Sequence, residues 1–282
     1  MTDSDEAVVQ RLPEQRLEAR CTLSFDVSQP TPMVFMLRPQ SGDGQQITLE
    51  SFELTPVTQV TEFTDAFGNL CQRLLAVPGS FTVDSIVQAR VNRDRQYPLA
   101  PEDAGFIDIP DLPDAVLVYL LPSRYCESDR FSDMAIEIVG GEALGFAQVT
   151  AICRWVSANI SNIPLSSTYP VSAVEVNQRG EGVCRDLAHL AICLCRALCI
   201  PARLAVGYLH GLDPMDNHAW FEAYVGDRWY TFDPAAPASV GARIVVARGR
   251  DAADVAIYNQ YGPLLLPTHM TVSVEEIDEA TA

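Results

Sequence analysis

The chain has 282 residues, with 19 basic against 37 acidic side chains and a formal net charge of −18. That balance argues against a nucleic-acid partner or an anionic membrane surface, both of which repel an acidic protein. Apolar residues make up 48% of the sequence, enough for real cores, and no run approaches the ~20 residues of a membrane span.

Residues 1–18 read as a polar leader. They open Met1-Thr2-Asp3-Ser4-Asp5-Glu6, without the basic start and apolar stretch of a secretory signal. Eight cysteines without such a signal predict free thiols and a cytoplasmic location rather than a disulfide framework. From 19 to 122 short alternating runs recur: Arg20 to Asp26, Val34 to Arg38, Ile47 to Thr55, Val57 to Asp65, Leu70 to Val77 and Ser80 to Val91. Turn-forming stretches such as Pro39 to Gly44 and Phe67-Gly68-Asn69 separate them, which predicts an all-β, sandwich-like domain. Five prolines, at Pro98, Pro101, Pro110, Pro113 and Pro122, mark residues 92–135 as a connector. Residues 123–282 then make a second domain, so the chain is α+β. Its first helix is expected over Phe146 to Ile160, with Trp155 inward.

The next helix carries the chemistry. After Gly180 and Gly182, which let the backbone turn, Cys184 is followed by Leu187, Leu190, Ala191, Leu194 and Leu198 at helical spacing. Cys184 is therefore expected in the first helical turn, where unpaired N–H groups and the positive end of the dipole favour negative charge. The same N–H groups could hold an oxyanion. Downstream, Ala219, Phe221, Ala223 and Val225 alternate with His218, Trp220, Glu222 and Tyr224, the pattern of a half-buried strand. Gly226-Asp227 is a two-residue turn signal, and Arg228 to Phe232 reads as the return strand. Pairing Val225 with Arg228 sets Asp233 opposite Trp220 and diagonal to His218, within side-chain reach. A thiol, an imidazole and a carboxylate in this order supply nucleophile, base and orienting group. Asp233 is expected to accept from Nδ1 of His218, leaving Nε2 for the thiol.

The remaining histidines fit less well. His189 lies on the far side of the helix from Cys184, His210 sits in a loop, and His269 shares a solvent-facing side with Thr271 and Ser273. Cys193, Cys195 and Cys199 with His189 cannot converge on zinc from one helix, so no metal is expected. Asp213, Asp216 and Asn217 lack the ligand series of a calcium loop and read as a turn feeding the His218 strand.

Taken together, these residues resemble the bacterial transglutaminase-like superfamily, with a papain-like Cys-His-Asp core. The likeness extends to Ile152–Ile160, Tyr169-Pro170-Val171-Ser172-Ala173, Gly182-Val183-Cys184-Arg185-Asp186, Ala197–Arg203, Gly207-Tyr208 and Gly249–Val255. Cys199 stands where the family often has glycine. Upstream, Gln45-Gln46 and Asp65–Asn69 look like the β-rich region that precedes many bacterial members. The resemblance implies Cys184 as nucleophile, His218 as base and later acid, and Asp233 as orienting carboxylate in acyl transfer on a protein or peptide amide. Hydrolysis is expected; an amine acceptor, as in protein-glutamine transglutaminases, or a non-catalytic binding module on the same fold are the alternatives. No cofactor is implied. Family sites often add an oxyanion donor upstream of the cysteine, for which Gln178 is the nearby amide, while Trp220 and Tyr208 are candidates for lining the groove.

Overall fold

The structure, a computed structural model, describes residues 14–92, 104–164, 166, 169–236 and 241–278. The first strands alternate as the sequence does: β1 (Glu14–Val27), β2 (Thr31–Phe35), β3 (Gln45–Thr55), β4 (Thr61–Thr64), β5 (Leu70–Ala76) and β6 (Gly79–Asn92). One side of β1, from Leu17 through Cys21 to Phe25, is buried, and its partner β6 buries Phe81, Val83 and Val87 in the same way. Alternation with period 2 puts these on one face. Phe25 and Phe35 meet edge to face at 6.3 Å between ring centres, so the core lies between the sheet holding β1 and the sheet holding β2.

Two details depart from the sequence reading. β1 begins at Glu14 and pairs with β6 along its whole length, so residues 14–18 of the expected leader are strand; residues 1–13 lie outside the described part. The fourth strand starts at Thr61 rather than Val57, which is 97% exposed. Pro56 has no N–H to give to a ladder there. The segment Asp65–Asn69 is the hairpin turn anticipated: the Asp65 carboxylate accepts from the N–H of Phe67 and of Asn69, both at 2.8 Å.

Residues 93–103 of the expected connector are outside the described part. The rest carries a helical turn, α1 (Asp114–Leu117), and runs into a helix that the sequence reading did not foresee, α2 (Ser132–Val139). There follow α3 (Phe146–Asn159), the short β7 (Ser161–Asn162), α4 (Ala173–Arg179), β8 (Glu181–Gly182) and α5 (Cys184–Ala197). Four strands complete the second half: β9 (Ala202–Leu209), β10 (His218–Val225), β11 (Arg228–Phe232) and β12 (Arg243–Gly249), in the order β11-β10-β9-β12. α5 lies across β9 and β10, surrounded by α2, α3 and α4, and is buried along most of its length.

The chain then returns to its start. β13 (Tyr258–Gln260) pairs with β2 and β14 (His269–Glu276) with β1, giving sheets ordered β13-β2-β5-β4 and β14-β1-β6-β3. The alternation of His269 to Val274 is legible in sequence; its partner, more than two hundred residues away, is not. Among the described residues no helix is long and apolar enough to cross a membrane.

Two carboxamides join the two halves. β12 is an edge strand, and an unpaired edge leaves N–H and C=O groups without partners. The side chain of Gln45 accepts from Val245 N and donates to Val245 O, both at 2.8 Å. Asn69 does the same at Arg248, at 2.8 and 2.7 Å. Each amide thus stands in for a neighbouring strand.

Gly207 on β9 faces the irregular step in β12 between Val245 and Ala247. A Cβ there would lie 2.0 Å from the carbonyl oxygen of Ile244, and backbone cannot yield as a side-chain tip can. Gly207→Ala is therefore expected to cost about 2–4 kcal/mol of stability. Gly141→Ala, in open space, should stay within about 0.5 kcal/mol. Urea unfolding of the two variants decides it; equal midpoints would refute the close approach.

Candidate active site

α4 starts where Ser172 Oγ accepts from Glu175 N at 3.4 Å and ends at Gly180, whose φ of +69° is left-handed. β8 pairs with β7 for two residues, and the chain then turns into α5. Gly182 has no room for a Cβ, which would sit 2.8 Å from Cβ of Asp186. Asp186, wholly buried, accepts from Val183 N at 3.2 Å and so caps the helix start. This arrangement makes Cys184 the first helical residue, among N–H groups that have no acceptor within the helix.

β10 and β11 form the hairpin with Val225 opposite Arg228 and Phe221 opposite Phe232. Asp233 follows directly on the last paired residue, Phe232. His218 Nε2 lies 2.7 Å from Oδ2 of Asp233, and its side chain is also hydrogen-bonded to Cys184. Three residues spread over fifty positions thus meet. The sequence reading had the ring the other way round, with Nδ1 on the carboxylate. The diagonal between strands is long, roughly 7–8 Å between backbones. It is spanned by Nε2, the ring nitrogen farther from the backbone, which leaves Nδ1 for the thiol.

The carboxylate of Asp233 is held on all sides. Oδ1 accepts from Ala235 N at 3.2 Å and Ala236 N at 3.1 Å; Oδ2 accepts also from Arg243 Nη2 at 2.8 Å. Arg243 is 1% exposed, and burial pushes its guanidinium down to about 9. Burial alone would lower His218 too. Its hydrogen bonds to Asp233 and Cys184 and their charges outweigh this and lift it to about 10. Trp220 stands between, stacked on His218 at 6.1 Å and 5.3 Å from the Arg243 guanidinium.

Cys184, partly exposed, and His218 open into a cleft of about 550 Å³. Its walls come from both halves of the molecule. Tyr125 and Tyr169 stand on one side, and Tyr258, Leu264, Leu266 and Met270 arrive from the C-terminal segment that rejoins the first sheets. The segment Gly249–Val255, singled out by its family likeness, has a structural part: Asp251 accepts from Tyr125 N at 2.7 Å and Ala253 N at 2.8 Å, fixing that wall.

The other predicted residues are placed elsewhere. Gln178 is exposed on α4 and does not line the cleft, because it lies on the exposed side of the helix, whose buried side carries Ala173 and Val176. Tyr208 is 1% exposed, its hydroxyl bonded to Cys21, and is not in the cleft wall. Trp220 is fully buried and faces a second cavity behind the triad. His189 is a core residue. Its Nε2 accepts from Ala252 N at 3.1 Å, its ring stacks on Tyr125 at 5.5 Å, and burial takes it down to about 4. His269 is exposed on β14. Among the described residues no group of three or more His, Cys, Asp or Glu side chains is arranged to hold a metal.

The sequence reading missed Arg243 and the cleft walls from residues 258–270. A signal for Arg243 exists: one arginine opens the otherwise apolar run Ile244–Ala247, and a buried charge needs a partner. Nothing local marks Tyr258 or Met270.

Comparison with known proteins agrees with this fold. The profile of the Transglutaminase-like superfamily matches residues 132–234. A crystal structure of a candidate cysteine protease from Cytophaga hutchinsonii is 30% identical, with a TM-score of 0.86, over 95% of this chain and 92% of that one. An uncharacterized protein of Mycobacterium leprae is 26% identical over 253 residues, 85% of this chain and 86% of the relative. An uncharacterized Mycobacterium tuberculosis protein is 38% identical over 105 residues, about a third of each chain. The chain belongs to the transglutaminase-like superfamily.

His218 provides a test of the buried network. Its folded pKa lies above the ~6.5 of an unfolded histidine, so protonation favours the folded chain. That contribution is complete below about pH 6.5 and is lost as pH rises through about 10. An NMR titration should place the His218 midpoint well above 6.5 in the wild type and lower in Asp233→Asn. Wild-type stability should also fall more steeply over this window than that of the variant. A wild-type midpoint at or below 6.5 would contradict the arrangement.

Proposed function

We propose that this protein is a cysteine-dependent amide hydrolase acting on peptides or proteins, with Cys184 as nucleophile, His218 as acid–base and Asp233 as orienter. The observation that carries this reading is the contact of one imidazole with both the thiol at a helix start and a buried carboxylate 2.7 Å away. With His218 lifted to about 10, Nδ1 already carries the proton at neutral pH, and the Cys184 thiolate bonds to the carbonyl carbon. Helix-start N–H groups hold the oxyanion. The C–N bond then breaks, Nδ1–H protonates the departing amine, and a thioester remains. Water attacks it, giving its proton back to His218, and the thiolate is released with the acid product.

Asp233 cannot swing away, since two backbone N–H groups and Arg243 fix it. Arg243 acts as a positioning residue through that carboxylate. The description of the Cytophaga hutchinsonii relative as a candidate cysteine protease supports hydrolysis over amine transfer. The cleft walls formed by Leu264, Leu266 and Met270, each at least 41% exposed, favour substrates with apolar side chains beside the scissile amide.

The chain holds its own reference thiol: Cys199 is exposed at the far end of the same helix, whereas six other cysteines are buried. A thiol with the ordinary pKa of about 8.5 is roughly 0.3% ionised at pH 6. Iodoacetamide at pH 6 should therefore label Cys184 about a hundredfold faster than Cys199, and His218→Ala should remove the difference. Equal rates would sink the enzyme reading. With a glutamine-bearing protein and a fluorescent amine, amide or peptide hydrolysis should dominate; efficient amine incorporation at low amine concentration would replace hydrolysis by transamidation. Asp233→Ala is expected to lower turnover about 10²–10⁴-fold.

A further inference from the structure

β13 is an edge strand, paired with β2 on one side only. In an antiparallel ladder every second residue turns its N–H and C=O toward the neighbouring strand, and the residues between turn theirs away. Met36 N donates to Ile257 O at 3.0 Å and Tyr261 N to Pro32 O at 2.9 Å, with Asn259 opposite Val34 between them. Ile257, Asn259 and Tyr261 therefore face β2 with their backbone, and Tyr258 and Gln260 point theirs at the free edge. Among the described residues no backbone group pairs with the N–H or C=O of these two across that edge.

The free edge belongs to the cleft wall. Four consecutive residues, Ile257 to Gln260, line the same cleft as Cys184 and His218. Side chains of a strand alternate between its two faces, so a consecutive run meets the cleft with its main chain. The strand is held in place: the Tyr258 ring packs on Phe25 at 5.2 Å, and the Gln260 side chain accepts from Leu265 N at 2.9 Å. An open edge is a template for another chain, and proteins guard such edges with charge. The other edges of the three four-stranded sheets are guarded. Glu50 lies on β3, Glu62 on β4, Arg228 on β11 and Glu275 on β14, while Gln45 and Asn69 clamp β12. Ile257 to Tyr261 carries neither charge nor proline, so β13 is left unguarded beside Cys184.

We propose that β13 is the docking edge for substrate: an extended peptide adds to it as a further strand, its main chain bonding to the N–H and C=O of Tyr258 and Gln260 and its scissile amide at Cys184. Docking of this kind rests on the hydrolase chemistry proposed above and defines its substrate. The substrate is an extended stretch of polypeptide, since a helix already uses its N–H and C=O groups internally. Main-chain bonds accept any sequence, so selection among sequences falls to side-chain contacts with Leu264, Leu266 and Met270.

The test treats the full chain with acetyl-Ala-Leu-Leu-Ala chloromethyl ketone, an apolar probe matched to these walls. Sulfur of Cys184 bonds to the methylene carbon as chloride leaves. Amide hydrogen exchange is followed by NMR before and after. In the free protein the amides of Tyr258 and Gln260 should exchange at least about tenfold faster than those of Asn259 and Tyr261. In the adduct both should slow by at least about tenfold. Gln260→Pro removes one edge N–H, which an edge strand tolerates, whereas Gln260→Ala loses the same side chain and keeps the N–H. The ketone concentration for half-maximal inactivation rate should be about tenfold higher in the proline variant than in the alanine variant; should the proline variant not fold, exchange in the wild type decides. Alkylation of Cys184 with Tyr258 and Gln260 still exchanging freely, or equal half-maximal concentrations in the two folded variants, would overturn the docking edge and leave the hydrolase reading standing. Alkylation of Cys184 no faster than Cys199 would overturn the hydrolase reading, and the docking edge with it.

Discussion

The buried carboxylate of Asp233 is the constraint on which the site depends. A carboxylate that is 7% exposed is costly unless its charge and lone pairs are met. Here they are met by His218, Arg243 and two backbone N–H groups. Four donors on one carboxylate remove its freedom, and with it the freedom of the imidazole. The thiol then meets a ring whose orientation is already settled.

That local order rests on long-range architecture. Cys184 comes from the start of α5, and His218 and Asp233 from a hairpin laid against it. The groove over them is walled by a segment that belongs to the first pair of sheets. Gln45 and Asn69 clamp the edge of β12 by standing in for a missing strand, and β12 carries Arg243. The start of β3 and the turn before β5 thereby hold the strand that fixes Asp233. A buried cluster of Glu222 with Arg203 and Arg248 lies on the same strands; burial would raise this carboxyl, but the two guanidinium charges outweigh it and hold it at about 2.

How much of this could be read in the sequence follows from how local each determinant is. The α5 stripe from Leu187 to Leu194, the alternation from His218 to Val225 and the Gly226-Asp227 turn are set within a few residues. The helix, the hairpin and the reach of Asp233 were therefore legible. The ring orientation of His218 was not, because it depends on the true spacing between strands. Gln178 looks suitable by proximity along the chain, yet it lies on the exposed side of α4, whose buried side carries Ala173 and Val176. Trp220 and Tyr208 were candidates for the groove by residue type, and packing placed both elsewhere. Tyr258, Leu264 and Met270 join the cleft only through pairings of β13 and β14 with strands at the other end of the chain, which no short pattern records.

The central claim is that sulfur of Cys184 becomes covalently attached to the acyl group during turnover. Acid-quenched mixtures with a p-nitrophenyl ester, digested and examined by mass spectrometry, test it directly. The account predicts an acyl group on the peptide containing Cys184, forming slowly in His218→Ala and absent in Cys184→Ala along with ester turnover. Acylation at another residue, or undiminished turnover without Cys184, would contradict it.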